Sequence, residues 1–382
     1  MAGVLGFGGY VPERVTTNDD RAALVDTTDE WITTRTGIKR RRFAADDETT
    51  LDLAAAAAER ALADAGLKPE DIDEIIVATD TPEVYTPDTA SFLQHRLGCR
   101  HIPSYDLGGS GCAGFVQALD VARTRIHFSS KRVLVVGVEL ISRLINWKDR
   151  ATCVLFGDGA GAVVMGPGQG QAEVLDVVAG TDGSRWDILT LRTGGTRHPF
   201  TAEAAAAGAH QNLEMQGSEV FREAVRHMSG AVIDLLHRID KTVTDVALVV
   251  PHQANRRIID AVRHRLGVDE ERVYVNVHEY GNTGSASVPL ALWMARREGV
   301  ITASADRAQP HPLPQRVRRC GTFPLPGGTG RHAFGRGQGG TGVRLTRVRR
   351  GTPALAPRHR RRRLQIQRTC GRRTNAVRLR RR

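Results

Sequence analysis

One arrangement occurs twice in this 382-residue chain and limits what it can become. A helix and a buried strand bordered by acids lead into a Gly/Ser-rich turn that opens another helix. The first copy runs around Ile76 and Cys112, the second around Val249 and Asn282. Each copy is one layer-forming unit that cannot bury its apolar faces alone, so two related halves should stack with the chemistry between them. Strands alternating with helices of this length predict an α/β layered core.

Apolar spacing and punctuation place the elements. Val4–Gly9 reads as an opening strand, and Asp26–Ile38 starts like a capped helix that stops at Gly37. Leu51–Ala65 is an Ala-rich helix ended by Gly66. Ile72–Thr79 is a buried strand and Thr89–Leu97 a helix. The stretch His101–Leu107 is extended, Phe115–Ile126 helical and Arg132–Gly137 again a buried strand. Ala151–Phe156 and Gly161–Met165 are expected to be a further strand pair. In the second half Glu219–Ile239, Arg256–Leu266 and Val288–Arg297 read as helices, and Val246–Val250 and Val273–Val277 as strands. The loop Gly157-Asp158-Gly159-Ala160-Gly161 is glycine-rich enough to suggest a dinucleotide site. Such a loop must open a helix, whereas Ala162–Met165 continues as strand, so a plain turn is expected.

Cys112 is the candidate nucleophile. It stands between a strand and a helix N-terminus, where unpaired N–H groups and the helix dipole favour a thiolate. Its neighbours Gly108, Gly109, Gly111, Ala113 and Gly114 let a substrate approach the backbone. An isolated cysteine beside a turn would otherwise read as structural. Two distant polar motifs argue for chemistry: Pro251-His252-Gln253-Ala254-Asn255 after an apolar run, and Gly281-Asn282-Thr283-Gly284 in a turn. Alone, a loop histidine is usually solvated and Asn-Thr-Gly is ordinary turn chemistry. The five cysteines (99, 112, 153, 320, 370) show no close pairing, which suggests neither a zinc site nor a disulfide framework. With no apolar run of membrane length and no basic leader at Met1–Tyr10, a cytoplasmic protein is expected.

The net charge of +12 is misleading. Residues 303–382 hold 22 Arg, no Lys and a single acid, Asp306, so the first 302 residues are acidic overall. The organisation expected is an N-terminal half over 1–170, a C-terminal half over 171–302, and an Arg/Gly/Pro-rich tail over 303–382.

Five segments together resemble the β-ketoacyl-acyl-carrier-protein synthase III enzymes of the thiolase superfamily. They are Asp-Glu-Trp-Ile-Thr-Thr-Arg-Thr-Gly-Ile, Cys-Ala-Gly-Phe, Phe-Gly-Asp-Gly-Ala-Gly-Ala, Pro-His-Gln-Ala-Asn and Gly-Asn-Thr-Gly-Ser-Ala-Ser-Val-Pro. The resemblance implies a five-layered α-β-α-β-α sandwich working as a homodimer. It implies a decarboxylative Claisen condensation in which an acyl-CoA primer acylates Cys112 and malonyl-acyl-carrier protein supplies the enolate. His252 and Asn282 would be neutral donors to the developing oxyanion. No metal or resident cofactor is implied; coenzyme A arrives as the substrate's thioester. By the same resemblance Trp31 and Arg150 would hold the adenine, Arg35 would meet phosphates, and Asn255 would line the pantetheine tunnel. Arg257, Arg263 and Arg265 would face an acidic carrier protein. Thr86 would stand at the far wall of the acyl pocket, across the dimer.

Two departures from the family are visible. Four residues, Gly108, Gly109, Ser110 and Gly111, separate Leu107 from Cys112 where the family has three. From about Arg307 the family's last two core strands, and the loop that supplies a backbone oxyanion donor, are absent. Reading the codons of Ala308–Val317 one nucleotide later permits Leu-Ser-Leu-Thr-Arg-Phe-Arg-Ser-Gly-Phe, much like the missing strand and loop. A shifted reading frame is therefore expected in preference to a selected tail. The rival readings are an inactive thiolase-fold remnant and a protein attached to nucleic acid, without sequence preference, through its basic tail.

Overall fold

From Ala2 the chain enters its longest strands and helices almost without preamble. The computed structural model describes residues 1–129 and 131–302. The expectations for a basic, frame-shifted or nucleic-acid-binding tail from residue 303 onward lie outside the described residues. In chain order the larger elements are β1 (Ala2–Tyr10), β2 (Arg14–Thr17), α1 (Asn18–Ala22), α2 (Asp29–Thr36), β3 (Arg40–Phe43), α3 (Thr50–Ala65) and β4 (Glu74–Ala78). Next come α4 (Thr89–Leu97), β5 (Ser104–Leu107), α5 (Gly114–Ser129), β6 (Val133–Glu139), α6 (Arg150–Cys153), β7 (Gly159–Pro167) and β8 (Ala172–Val174). After β9 (Leu189–Thr190), α7 (Ala202–Ala206) and β10 (Glu214–Met215), the chain is helical: α8 (Gly217–Arg238), α9 (Arg256–Leu266), α10 (Val277–Tyr280) and α11 (Ser287–Arg297).

Six strands form one mixed sheet in the order β5-β4-β6-β7-β1-β8. Parallel pairing joins β4 to β5 and β6; the β6–β7, β7–β1 and β1–β8 pairs are antiparallel. Strand alternation sends Ile75 and Val77 to one face, where they meet the alanines of α3 and Leu93 of α4. Ile76 and Ala78 point to the other, against Phe115, Ala118 and Ala122 of α5 and Val288, Leu292 and Trp293 of α11. The contact of α3 with the sheet is made nearly of backbone: a Cβ on Gly8 would fall 2.1 Å from the carbonyl oxygen of Ala57. Thr49 caps α3 by accepting the Asp52 N–H, and Gly66 closes it in the left-handed region at φ 64°.

Three expected strands are corrected. Ala151–Phe156 is not a strand: Asp149 accepts the Ala151 N–H at 2.9 Å and starts the short helix α6 instead. Val246–Val250 and Val273–Val277 form no ladder. They meet at one parallel bridge, Val249–Val273, closed by Val249 N–H to Arg272 O (2.8 Å) and Tyr274 N–H to Val249 O (2.9 Å). A strand is held by its neighbours, and among the described residues these two find only each other. Val277 already belongs to α10. The helix–sheet–helix part of the expected sandwich is thus present, and among the described residues the second sheet is represented by that bridge. The Gly157–Gly161 loop runs into β7, as a turn should.

Candidate active site

Strand β5 delivers the chain to a loop with Gly109 at φ 69° and Gly111 at φ 55°, values that exclude most side chains. One tight turn, Gly111–Ala113, then leads into α5, with Cys112 at its centre and partly open to solvent. The turn packs against a second tight turn, Gly284–Ala286, which precedes α11. That second turn lies close on β6: a Cβ on Gly137 would stand 2.5 Å from the carbonyl oxygen of Ser285.

Asn282 enters the site from the second half but is fastened to the first. It forms a parallel bridge with Phe156, donating its N–H to Leu155 O (2.9 Å) and accepting the Gly157 N–H at its carbonyl (3.0 Å). Its side-chain Oδ1 accepts the Gly284 N–H at 2.9 Å. With the oxygen so committed, the amide NH2 is the end left to favour the ionised form of Cys112.

The thiol is not the stabilised thiolate that the helix terminus suggested. Burial, then the carboxylates of Glu139 and Asp80, push Cys112 up to about 12, against the opposing hydrogen bond from Asn282. Glu139 ends β6, buried, and accepts from Ser285 Oγ (2.9 Å), Thr81 Oγ1 (2.9 Å) and the Asp80 N–H (3.1 Å). Burial first, and Asp80 second, hold its carboxyl at about 8.

Burial pushes His252 down to about 4, so its imidazole is neutral at physiological pH. Its Nδ1 lies 2.8 Å from Ser287 Oγ, and the same hydroxyl accepts the Gln253 N–H at 2.7 Å. Buried Gln253 then pins the loop, donating to Pro251 O and Tyr274 O and accepting the N–H groups of Asn276 and Val277. Cys112 and Asn282 are therefore brought together directly, and His252 is tied through Ser287 to the start of α11.

The remaining expected contacts are placed unevenly. Arg35 and Arg150 both lie over the Trp31 indole, each 4.7 Å from its centroid. Arg150 also donates to Asp26 O at 2.7 Å. A base between indole and guanidinium needs two stacking gaps, about 7 Å in all, so Arg150 must swing aside to admit one. Asn255 caps α9, its Oδ1 accepting the Ile258 N–H at 2.9 Å, which leaves its amide nitrogen for other partners. Arg257 and Arg265 are exposed, but Arg263 folds back onto Val268 O and toward Asp260. Thr86 is exposed on the loop after β4, beside the exposed Val84 and Tyr85.

Sequence reading overlooked the supporting residues Asp80, Thr81, Glu139, Gln253, Ser285 and Ser287. Two carried a signal: Glu139 is an acid ending a fully apolar strand, and Gln253 adjoins the histidine in its motif.

The chain is similar to known proteins of one family. Residues 105–183 match the family model for 3-oxoacyl-[acyl-carrier-protein] synthase III, and residues 236–307 match the model for its C-terminal part. The second match stops where the sequence departs from the family pattern. A β-ketoacyl-[acyl-carrier-protein] synthase III of Caldanaerobacter subterraneus is 48% identical over 301 residues, 78% of this chain and 90% of the relative. The crystal structure of the Aquifex aeolicus 3-oxoacyl-[acyl-carrier-protein] synthase III superposes with a TM-score of 0.72 at 40% identity, covering 79% of this chain and 92% of that one. The priming β-ketosynthase of the R1128 polyketide pathway superposes at 0.71 with 38% identity, covering 79% and 89%.

Proposed function

The chain belongs to the 3-oxoacyl-[acyl-carrier-protein] synthase III family of initiating condensing enzymes, and from that premise we propose a division of labour among its residues. Cys112 takes the acyl group of an acyl-CoA primer. His252 and Asn282 then hold the thioester oxygen of a malonyl-acyl-carrier protein while it loses carbon dioxide. The packing of the Cys112 turn against the turn that follows Asn282, with the Asn282 amide oxygen committed to Gly284, is the observation that carries this reading.

The chemistry follows from the protonation states. With burial and two facing acids opposing its ionisation, the thiol is largely protonated at neutral pH, so the proton leaves as the sulfur attacks. It ends on the departing coenzyme A sulfur. In the second half-reaction the malonyl carboxylate leaves as carbon dioxide, and its electrons form an enolate. A neutral imidazole and an amide both offer N–H to that oxygen without neutralising the reaction by proton transfer. The enolate carbon attacks the acyl-Cys112 carbonyl, and the sulfur leaves toward the Asn282 amide, which stabilises it.

Trp31, Arg35 and Arg150 support coenzyme A binding, with Arg150 moving off the indole as the base enters. Arg257 and Arg265 support carrier docking, while Arg263 is engaged by Val268 O and Asp260. Thr86, exposed in a single chain, reaches an acyl pocket only across a homodimer boundary. Among the described residues no helix is long and apolar enough to cross a membrane, which suits the cytoplasmic location proposed.

The test separates the half-reactions. Incubation with an acyl-CoA should label the Cys112 peptide and leave those of Cys99 and Cys153 unmodified. His252→Ala and Asn282→Ala should lose malonyl decarboxylation on the order of 10²–10³-fold while keeping some acyl transfer. Acylation that persists in Cys112→Ala, or near-normal decarboxylation in both other variants, would overturn the assignment.

A further inference from the structure

The four-residue loop before Cys112 contains three glycines, and a loop of that composition has little conformational preference of its own. Yet its backbone follows a definite pattern. Gly109 is left-handed at φ 69°, Ser110 right-handed at φ −91° and ψ −4°, and Gly111 left-handed again at φ 55°. Alternation of the two hands turns successive N–H groups toward a common point, a concavity that binds anions. The Asp80 carboxyl faces it: burial pushes this acid up, and the loop N–H groups of Gly111, Gly109 and Ser110 oppose that rise. Its Oδ2 stands 3.9 Å from where a Cβ on Gly111 would be.

We propose that Asp80 is the positioning residue of the nucleophile: its carboxylate, seated in the nest formed by residues 109–111, fixes the pose of Cys112. The anchor is itself anchored. Asp80 donates its own N–H to Glu139 at 3.1 Å, and Glu139 accepts from Ser285 of the turn that packs against Cys112. A continuous chain thus links the second half's turn, through buried Glu139 and the more exposed Asp80, to the loop carrying the thiol. The titratable groups that face Asp80 are Glu139 from β6 and Cys112 itself, and among the described residues no arginine or lysine pairs with it. The nest takes the place of a cation.

This arrangement has a cost for reactivity. The carboxylate that holds the loop also opposes ionisation of the thiol it positions. Fixing geometry and activating sulfur are therefore in tension, and they can be separated by substitution. Asp80→Asn keeps the size and one acceptor oxygen but removes the charge. Asp80→Ala empties the nest.

The inference rests on Cys112 as the nucleophile, and the experiment reads its reactivity without requiring the acyl-transfer reaction. Hydrogen exchange of the full chain should show the peptide spanning residues 105–115 exchanging faster in Asp80→Ala, by about tenfold or more at the three loop amides. Alkylation of Cys112 by iodoacetamide, followed by peptide mass spectrometry, is run at pH 9.5, where alkaline solution favours the charged form of both raised acids. There Asp80→Asn should alkylate about threefold faster or more, because one facing charge is gone. A purely structural role would leave that rate unmoved. Unchanged loop exchange in Asp80→Ala overturns the proposal. If the alanine variant does not fold, Asp80→Ser, too short to fill the nest, is read in the same way, and unchanged exchange there overturns the proposal as well.

Discussion

Replacing Ser287 with alanine should damage one half-reaction and spare the other. Its hydroxyl accepts the Gln253 N–H at 2.7 Å, so its own proton is directed to its second neighbour, His252 Nδ1, at 2.8 Å. That makes Nδ1 the acceptor and leaves the proton on Nε2, the nitrogen available to a thioester oxygen. Ser287→Ala strands the N–H of Gln253, a residue only 1% exposed. An unpaired buried donor costs about 1–3 kcal/mol, which in a domain of this size lowers the melting temperature by roughly 2–10 °C. The chemical effect is separate. Without the hydroxyl, the two neutral tautomers compete and the Nε2–H donor is present only part of the time. Malonyl decarboxylation should then fall by about tenfold or more in kcat, short of the 10²–10³ expected for losing a donor outright. Acylation of Cys112 should change little, and Ser287→Thr should restore the loss. ¹⁵N NMR of histidine-labelled protein reads the tautomer directly, in Ser287→Ala and parent alike. A parent His252 protonated at Nδ1, or an alanine variant that decarboxylates at the parent rate, would refute the reasoning.

Three other outcomes are expected. Thr86 is smaller than an aromatic, so the protein should accept branched isobutyryl-CoA in competition with acetyl-CoA, and Thr86→Phe should shift the ratio toward acetyl; one buried methylene is worth roughly 1–3 kcal/mol in such discrimination. His252 has a folded value of about 4, below its ordinary 6.5, so the unfolded chain takes up the proton first and stability is lost as pH falls from 6.5 through 4. Urea unfolding at pH 7 and pH 4 should therefore show His252→Gln gaining on the parent by up to about 3 kcal/mol at the lower pH; parallel losses in the two proteins would contradict it. Finally, the chain as written should unfold at lower temperature and condense more slowly than one with the reading frame shifted after residue 307, because among the described residues Val246–Val250 and Val273–Val277 pair only with each other, at one bridge; equal melting and equal condensation would make the basic segment a real appendage.

Legibility followed the range of the interaction. Helix ends set by local chemistry were readable: Gly37, Gly66 and Gly267 each close a helix in the left-handed region, and Asn255 starts one. So was the turn carrying Cys112, because glycine spacing is a local signal. What depended on distant partners was not. Ala151–Phe156 is apolar enough for a strand, but the Asp149 cap and the bridge from Phe156 to Asn282 decide otherwise. The thiol value was misjudged for the same reason. The helix terminus is visible in sequence, whereas Asp80 and Glu139 reach Cys112 from two other strand ends.

The groups that act on Cys112 also arrive in a definite order during synthesis. Asp80 and Glu139, which restrain the thiol, are complete once the chain has reached residue 139. Asn282, which favours the thiolate, is made 143 residues later by the numbering and is secured only when it meets Phe156. At a translation rate of about 5–20 residues per second that interval lasts roughly 7–30 s. Through it the nascent first half carries its cysteine beside two acids and without its amide donor. On the roles proposed for these residues, a half-made protein would carry the two opposing acids alone and would gain the opposing amide only with the segment that brings Asn282.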